Sequence, residues 1–420
     1  MPRDATQSVA FEDIEAARDR LDDPTVVKRT PVERSTSLES MTDAERVYLK
    51  LEHLQWTGSF KTRGAYNKIR SALEEGDPDR VVAASAGNHA QGVSLAATKL
   101  GVDATVVMPT DAPQAKVDAT REYGATVELV GQDFQEAMGH ARELAAESDA
   151  TFVHAFDDPE IVAGQGTLGV EMHDDCPSVD TVVVPIGGGG LVSGIATALA
   201  ELSPETRVVG VQAAGAATVP ESLDKGVPQT LDSVDTIADG IATGGISELT
   251  LSIIERHVDE VVTVTNSQIA EAVLLLMERA KQLVEGAGAA SVAAIRSDDL
   301  DVAGECVMPL LCGGNLDMTM LRAVLVHALT RRKQILRLRV RIDDRPGKMA
   351  ELSSIVASHD ANIQTVRHDR ALTDIDVGEA DLVFQIETSG ARHAADIVDS
   401  IAERGYSVDV VDRSRIEHRS

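Results

Sequence analysis

Residues 181–191 read TVVVPIGGGGL, a stretch that joins a short apolar run to four consecutive glycines. The run at 181–185 has the length and β-branched content of a buried strand, and a helix is expected from about Ser193. Because glycine has no Cβ, this backbone can wrap closely around a phosphate, whose charge the N-terminus of the next helix stabilises. The stretch lacks the G-x-G-x-x-G spacing of a dinucleotide site and the Gly-Lys-Ser/Thr of a Walker loop. It therefore predicts a site for a single phosphate, with a flexible loop as the alternative.

Strand and helix signals continue on both sides of the glycine run. Short β-rich runs lie at 81–85, 105–108, 126–130, 208–212 and 305–311, and amphipathic segments such as 91–100 and 115–123 separate them. This alternation predicts an α/β fold with parallel sheets, in which ligands bind at the carboxyl ends of the strands.

Three further segments place reactive or anion-binding groups beside these elements. They are residues 57–65 (TGSFKTRGA), 85–92 (SAGNHAQG) and 312–315 (CGGN). The second segment follows a predicted strand and opens a helix, so its backbone N–H groups can bind a carboxylate, unless it is an ordinary capped turn. Taken alone, Lys61 would be a surface charge and Cys312 a buried structural cysteine.

Composition excludes several classes of function. The 420 residues include 68 acidic and 39 basic side chains, for a formal net charge of -29. This charge disfavours binding to nucleic acids and anionic membranes, and the acid excess is typical of a halophilic surface. The three cysteines are too few for a disulfide framework, and no Cys/His spacing predicts zinc. The longest apolar runs are far shorter than the ~20 residues of a membrane span, and the first twelve residues lack the apolar stretch of an export signal. We therefore expect a cytoplasmic protein.

The pattern changes after a helix-like stretch at 317–332. The elements then expected are a strand at 334–342, a helix at 347–359, strands at 363–369 and 379–387, a helix at 391–404 and a strand at 407–411. This order predicts a ferredoxin-like βαββαβ domain. We predict a catalytic domain over 1–330, with a small subdomain of about 50–155 inserted in it, and a second domain over 331–420.

Over about residues 10–330, the four segments resemble the serine/threonine dehydratases of the fold-type II pyridoxal-phosphate enzymes. Supporting stretches lie at 11–17, 113–117, 164–167 and 285–289. The resemblance implies a tryptophan synthase β-like fold, with two subdomains of parallel sheet and pyridoxal 5'-phosphate between them. The implied reaction is β-elimination from L-threonine, and from L-serine, to 2-oxobutanoate or pyruvate and ammonia, in isoleucine biosynthesis or threonine catabolism.

The resemblance also implies a role for each candidate residue. Lys61 is the lysine that forms the Schiff base, Phe60 packs on the pyridine ring, and Asn88 bonds the phenolic oxygen of that ring. The phosphate is expected at Gly187, Gly188, Gly189, Gly190 and Leu191, and the pyridine nitrogen at Cys312. The substrate carboxylate is expected at the turn formed by Ser85, Ala86, Gly87, Asn88 and His89.

Two positions refine these expectations. Related serine racemases carry a serine two residues before the motif's asparagine, and Ala86 stands there in this chain, so racemisation is disfavoured. Relatives that bind a divalent metal use acidic residues just after a strand like 208–211, but residues 212–218 contain none. We therefore predict no tight magnesium site, which leaves room for a monovalent cation held by carbonyl oxygens.

The C-terminal segment resembles an ACT domain over about residues 333–413. Such domains commonly bind amino acids at paired interfaces, which implies a homodimer or homotetramer with isoleucine or valine as the effector. By this resemblance Gly347 would let the backbone approach the ligand and Asn362 would hydrogen-bond it. The alternative is a turn glycine and a pre-strand asparagine without a ligand.

Two rival functions stay open at this point. A β-replacement enzyme, as in cysteine or cystathionine synthesis, would use the same lysine and phosphate loop, although the turn at 85–89 favours the dehydratases. A non-catalytic amino-acid-binding regulator would use the ACT domain with the larger domain as a scaffold, and Lys61 argues against it.

Overall fold

The computed structural model describes residues 8–76, 79–370 and 376–411. Residues 1–7 lie outside the described residues, and they form part of the N-terminal segment in which no export signal is expected. Residues 412 and 413, the last two of the segment that resembles an ACT domain, also lie outside them. The chain divides into two compact units, Met1–Met320 and Leu321–Ser420. The predicted domain boundary at 330 lies ten residues further on, within the helix Met318–Arg331.

The strands of the described residues are β1 (Val32–Arg34), β2 (Arg46–Lys50), β3 (Arg80–Ala84), β4 (Asp103–Met108), β5 (Thr126–Leu129), β6 (Thr151–Phe152), β7 (Thr181–Pro185), β8 (Arg207–Ala213), β9 (Glu260–Val264), β10 (Cys306–Pro309), β11 (Ile335–Asp343), β12 (Asn362–Asp369), β13 (Glu379–Glu387) and β14 (Ser407–Val410). The helices are α1 (Phe11–Arg20), α2 (Thr36–Glu39), α3 (Lys61–Glu74), α4 (Asn88–Leu100), α5 (Gln114–Glu122), α6 (Phe134–Glu147), α7 (Pro159–Asp175), α8 (Gly190–Leu202), α9 (Val219–Lys225), α10 (Glu248–His257), α11 (Asn266–Leu275), α12 (Gly286–Ile295), α13 (Met318–Arg331), α14 (Lys348–Ser358) and α15 (Ala391–Glu403).

The larger sheet of the first unit has the strand order β1-β2-β10-β7-β8-β9. Strand β1 is antiparallel to β2, and the remaining neighbours are parallel. All five residues of β7 are buried, as expected of a strand covered by helices on both faces. Helices α7 and α8 approach so closely at Gly194 that a Cβ there would lie only 2.3 Å from the carbonyl oxygen of Val162. The absence of a side chain at Gly194 permits this approach.

A smaller parallel sheet, ordered β5-β4-β3-β6, is built from residues between β2 and β7. Val81 and Ala83 of β3 and Val106 of β4 point into a core that helix α4 completes with Val93 and Ala97. The first unit therefore contains two separate parallel sheets, and their strands end in the segments that the sequence analysis singled out.

The second unit is an antiparallel sheet ordered β12-β13-β11-β14, with helices α14 and α15. Residues of β11 alternate between buried and half-buried, and Leu338 and Val340 pack with Phe384, Leu352 and Ile397 in one core. The predicted βαββαβ order is confirmed.

The predicted elements agree with the structure to within a few residues, with one informative difference. Helix α8 begins at Gly190, three residues before the predicted start at Ser193. Glycine has a low helix propensity, but burial of this first turn in the core compensates for it. Among the described residues, no helix has the length and apolar character needed to cross a membrane.

Candidate active site

The segments carrying the candidate residues meet at the carboxyl ends of parallel strands from both sheets. Ser59 pairs with Gly313, which follows β10, and the N–H of Phe60 donates to the Cys312 carbonyl at 3.4 Å. The Nζ of Lys61 donates to the carbonyl of Ala155, after β6, at 3.1 Å. The structure therefore brings the lysine, the cysteine and the small sheet to one place.

Lys61 is the first residue of α3, and its half-buried side chain reaches into the cleft between the two sheets. Loss of hydration lowers the pKa of its amine to about 8, and the nearby Cys312 and Glu285 act in the opposite direction. The amine lies 5.0 Å from the centre of the Phe60 ring. With this pKa, about a tenth of the Lys61 amine is uncharged at pH 7, far more than for a hydrated lysine, and the neutral form is the one that acts as a nucleophile.

Asn88, the first residue of α4, has its side-chain amide fixed at both ends. Its Oδ1 accepts a hydrogen bond from Asn315 Nδ2 at 2.8 Å, and its Nδ2 donates to Glu285 Oε1 at 2.7 Å. Asn315 Nδ2 also donates to the carbonyl of Thr57 at 2.6 Å. The amide of Asn88 thus has one defined orientation in the site.

The turn at 85–89 presents backbone rather than charged side chains. Ser85 Oγ accepts the N–H of Gly87 at 3.1 Å, and residues 85–88 are half-buried. His89 is buried with its Nε2 2.9 Å from the Val153 carbonyl, and burial together with the charge of Lys61 lowers its pKa to about 3. A neutral His89 brings no charge to a carboxylate, so the N–H groups that open α4 are what this turn offers to an anion.

The glycine run forms a cradle at the start of α8. Gly189 has φ +91°, and a Cβ there would lie 2.8 Å from the Cβ of Thr250. The Thr250 hydroxyl donates to the Gly188 carbonyl at 3.0 Å, while a Cβ at Gly188 would lie 2.1 Å from the ring of Phe156. Leu191 is buried just behind the loop. A side chain at Gly188 or Gly189 would collide with these neighbours and force the loop to shift.

Cys312 is buried at the end of β10, and burial raises the pKa of its thiol well above the usual range. The thiol therefore stays neutral, so it can exchange a weak hydrogen bond with a ring nitrogen without protonating it.

Behind the lysine, α3 is fixed by buried ion pairs. Arg63 is 1% exposed and donates to both oxygens of Glu52, at 2.7 and 3.1 Å, and to Glu171 at 2.8 Å. Lys50, fully buried, also contacts Glu171 and Asp175. These pairs connect the first turn of α3 to α7 and β2.

Residues 212–218 fold around an amide. Gln212 is buried, and its Oε1 accepts the N–H groups of Thr218 at 3.0 Å and Val219 at 2.8 Å. In the part of the chain that the structure describes, no group of three or more His, Cys, Asp or Glu side chains is arranged to hold a metal ion.

The two candidate effector residues lie apart within the second unit. Gly347, with φ +96°, precedes α14, and Asn362 follows that helix at the start of β12. The eleven residues of α14 span about 16 Å. One copy of the unit therefore does not bring Gly347 and Asn362 to the same ligand.

Three residues of the active site were given no role by the sequence analysis. Glu285 lies in a supporting stretch, Asn315 closes the CGGN segment, and Phe156 stands outside every motif. Asn315 carried the clearest signal, since a polar amide directly after the glycines of a strand end commonly faces a ligand.

The residues present fit pyridoxal phosphate. A glycine cradle at a helix N-terminus suits a phosphate monoester, an amine with a lowered pKa suits an aldehyde, and a neutral thiol suits a pyridine nitrogen.

Comparison with known proteins agrees with this fit. A model of the family described as pyridoxal-phosphate dependent enzymes matches residues 24–313. A Thermotoga maritima protein named L-threonine ammonia-lyase is 42% identical over 403 residues, which cover 96% of this chain and 100% of that protein. The solved structure of threonine deaminase isoform 2 from Solanum lycopersicum, in its processed form, is 35% identical with a TM-score of 0.71, covering 78% of this chain and 96% of that one. Maize serine racemase is 32% identical with a TM-score of 0.71, covering 78% and 100%. This chain belongs to the family of pyridoxal-phosphate dependent enzymes.

Proposed function

We propose that this protein is a threonine ammonia-lyase, which converts L-threonine to 2-oxobutanoate and ammonia and accepts L-serine in the same way. The observation that carries the proposal is the Lys61 amine, whose pKa of about 8 makes it available as a base beside a glycine cradle. Relatives with the same activity in their names support the choice of substrate.

Bound pyridoxal phosphate supplies an electron sink that stabilises negative charge on the substrate's α-carbon. Gly187, Gly188, Gly189, Gly190 and Leu191 would hold its phosphate, Asn88 its phenolic oxygen and Cys312 its ring nitrogen. Phe60 would pack against the ring. A neutral thiol at Cys312 would leave the pyridine nitrogen unprotonated, so the ring would withdraw electrons less strongly. This would favour loss of a β-hydroxyl over chemistry that needs a fully protonated ring.

The protein's own groups then act on the substrate. The turn at 85–89 would bind the carboxylate through its N–H groups and orient the α-carbon toward Lys61. The neutral Nζ of Lys61 would take the α-proton as a general base. Racemisation needs a second acid that returns a proton to the α-carbon from the face opposite Lys61. Ala86 has no such group, which disfavours the reaction named for maize serine racemase.

We further propose that the second unit is an ACT domain that senses isoleucine or valine. Asn362 lines a cleft of about 710 Å³ together with Glu387 and Arg392, whose opposite charges suit an amino acid zwitterion. Since Gly347 lies at the far end of α14, both residues would serve one ligand only across paired copies, which supports a homodimer or homotetramer. An effector would regulate only if it bound two conformations with different affinity.

The test is a product assay with purified holoenzyme and L-threonine, without any added thiol. We expect 2-oxobutanoate and ammonia in equal amounts, no D-allo-threonine (the product of inversion at the α-carbon), and loss of the reaction when the cofactor is removed. A requirement for a second nucleophile would indicate β-replacement instead. Absence of any product from holoenzyme that shows the absorption of bound cofactor would contradict the proposal.

A further inference from the structure

Glu285 is a carboxylate enclosed within the active site. It directly precedes α12, and only 7% of its surface is exposed. A Cβ at Gly313 would lie 2.2 Å from its Oε1, and a Cβ at Gly240 would lie 2.8 Å from the same atom. The two glycines therefore leave the space that the carboxylate occupies, and its position is closely defined.

The side chain of Glu285 does not cap its own helix. No N–H of the first turn of α12 donates to it, although a residue at this position commonly accepts such a bond. Instead, Oε1 accepts a hydrogen bond from Asn88 Nδ2 at 2.7 Å. The carboxylate is thus directed away from the helix and into the active site, which argues against a purely structural role.

The hydrogen bond from Asn88 has a consequence for the cofactor. An amide nitrogen carries two hydrogens, and Glu285 accepts one of them. Asn315 donates to Oδ1 at the other end of the Asn88 amide, so the amide cannot rotate without losing both bonds. The second hydrogen of Nδ2 therefore stays available in a fixed direction.

We propose that Glu285 is a positioning residue, which acts by holding the Asn88 amide so that its remaining N–H serves the bound cofactor. The inference rests on the proposed function, in which Asn88 contacts the phenolic oxygen. It also explains why a carboxylate is retained where burial is costly: burial raises its pKa to about 7, and the bond from Asn88 partly offsets this.

The experiment measures the dissociation constant of pyridoxal phosphate by re-titrating holoenzyme from which the cofactor was removed. Glu285→Gln keeps an oxygen that accepts the Asn88 N–H, and Glu285→Met fills the same volume without an acceptor of comparable strength. We expect Glu285→Gln to stay within about threefold of the wild type and Glu285→Met to weaken binding about tenfold, the size of one hydrogen bond. Asn88→Ala should weaken binding similarly, and Glu285→Met should add nothing in that background.

The outcomes separate this inference from the proposed function. If Asn88→Ala leaves the dissociation constant unchanged, the placement of Asn88 at the cofactor fails. If Asn88→Ala weakens binding but Glu285→Met does not, only the role of Glu285 is overturned. The same holds if Glu285→Met weakens binding equally in the wild type and in Asn88→Ala. A Glu285→Gln protein as impaired as Glu285→Met would also overturn it. Should Glu285→Met not fold, as judged by thermal unfolding, Glu285→Gln and Glu285→Ala in both backgrounds decide the question.

Discussion

Two carboxylates of this protein, Glu285 in the first unit and Glu387 in the second, each accept a hydrogen bond from an asparagine amide, yet their pKa values move in opposite directions. Burial raises the pKa of Glu285 to about 7 despite the bond from Asn88. Hydrogen bonds from Gln364 and Asn362 lower the pKa of Glu387, which is exposed. Both carboxylates accept amide N–H groups, one for Glu285 and two for Glu387, but only at Glu285 does burial outweigh them.

The difference distinguishes the candidate active site from the proposed effector site. In the first unit, desolvation moves both Lys61 and Glu285 toward their neutral forms, and for Lys61 the neutral amine is the form that can accept a proton. In the second unit, Glu387 beside Asn362 is exposed and its lowered pKa keeps it charged, which suits the proposed reversible binding of a polar ligand.

The largest effect is expected from removal of the amine. Lys61→Ala should lower kcat for 2-oxobutanoate formation by at least about 10³-fold, because it removes both the nucleophile and the general base. Lys68→Ala is the matched control, since Lys68 lies on the same helix and pairs with Asp158. Equal activity of the two variants would refute the role of Lys61.

The next effect concerns folding. Arg63→Met should lower the free energy of unfolding by about 3–5 kcal/mol, because it leaves Glu52 buried without its partner. Arg70→Met on the same helix breaks an exposed pair with Glu74 and should cost less than about 0.5 kcal/mol. Denaturant unfolding measures both values, and similar losses would show that burial does not set the cost.

A smaller change is expected in the glycine cradle. Gly188→Ala should destabilise the protein by about 1–3 kcal/mol and weaken cofactor binding, because the new Cβ collides with the Phe156 ring. Gly139→Ala, on exposed α6 with open space around its Cβ, should instead stabilise by up to about 1 kcal/mol. A Gly188→Ala protein with normal stability and cofactor affinity would contradict this description of the cradle.

The pH dependence of cofactor capture tests the desolvation of Lys61. Only the neutral amine attacks an aldehyde, so capture by cofactor-free enzyme should accelerate about fivefold between pH 7 and pH 8, as expected for a pKa of about 8. Since the charge of Glu285 raises the pKa of Lys61, Glu285→Gln should move the midpoint to lower pH. A midpoint near the ordinary lysine value in stopped-flow measurements would indicate a hydrated amine.

The smallest effect is expected on the exposed side. If isoleucine inhibits at the proposed effector site, Asn362→Ala should weaken that inhibition about two- to threefold, the size of one lost hydrogen bond at a solvent-exposed position. Gln364→Ala is its control, because Gln364 also bonds Glu387 but does not line the cleft. Dose–response curves at fixed threonine compare them, and an unchanged midpoint in Asn362→Ala would remove Asn362 from the effector site.

Sequence patterns predicted the parts of this molecule that are local. Strand β7 was predicted correctly, because a buried strand carries a contiguous apolar signal. The phosphate site at the glycines that follow it stays a prediction. The clamp between Asn88 and Glu285 was not predicted, since it joins residues 197 positions apart. Likewise, the contact of Phe156 with Gly188 depends on how the two sheets pack, which no periodicity encodes.

The most direct measurement locates the cofactor on the chain. Borohydride treatment of holoenzyme makes the bond between pyridoxal phosphate and its lysine permanent, and peptide mass spectrometry then identifies the modified residue. We predict modification of Lys61 alone, and none in a Lys61→Ala protein. Stoichiometric modification of another lysine, such as Lys116, with Lys61 unmodified would contradict the assignment of the reaction site.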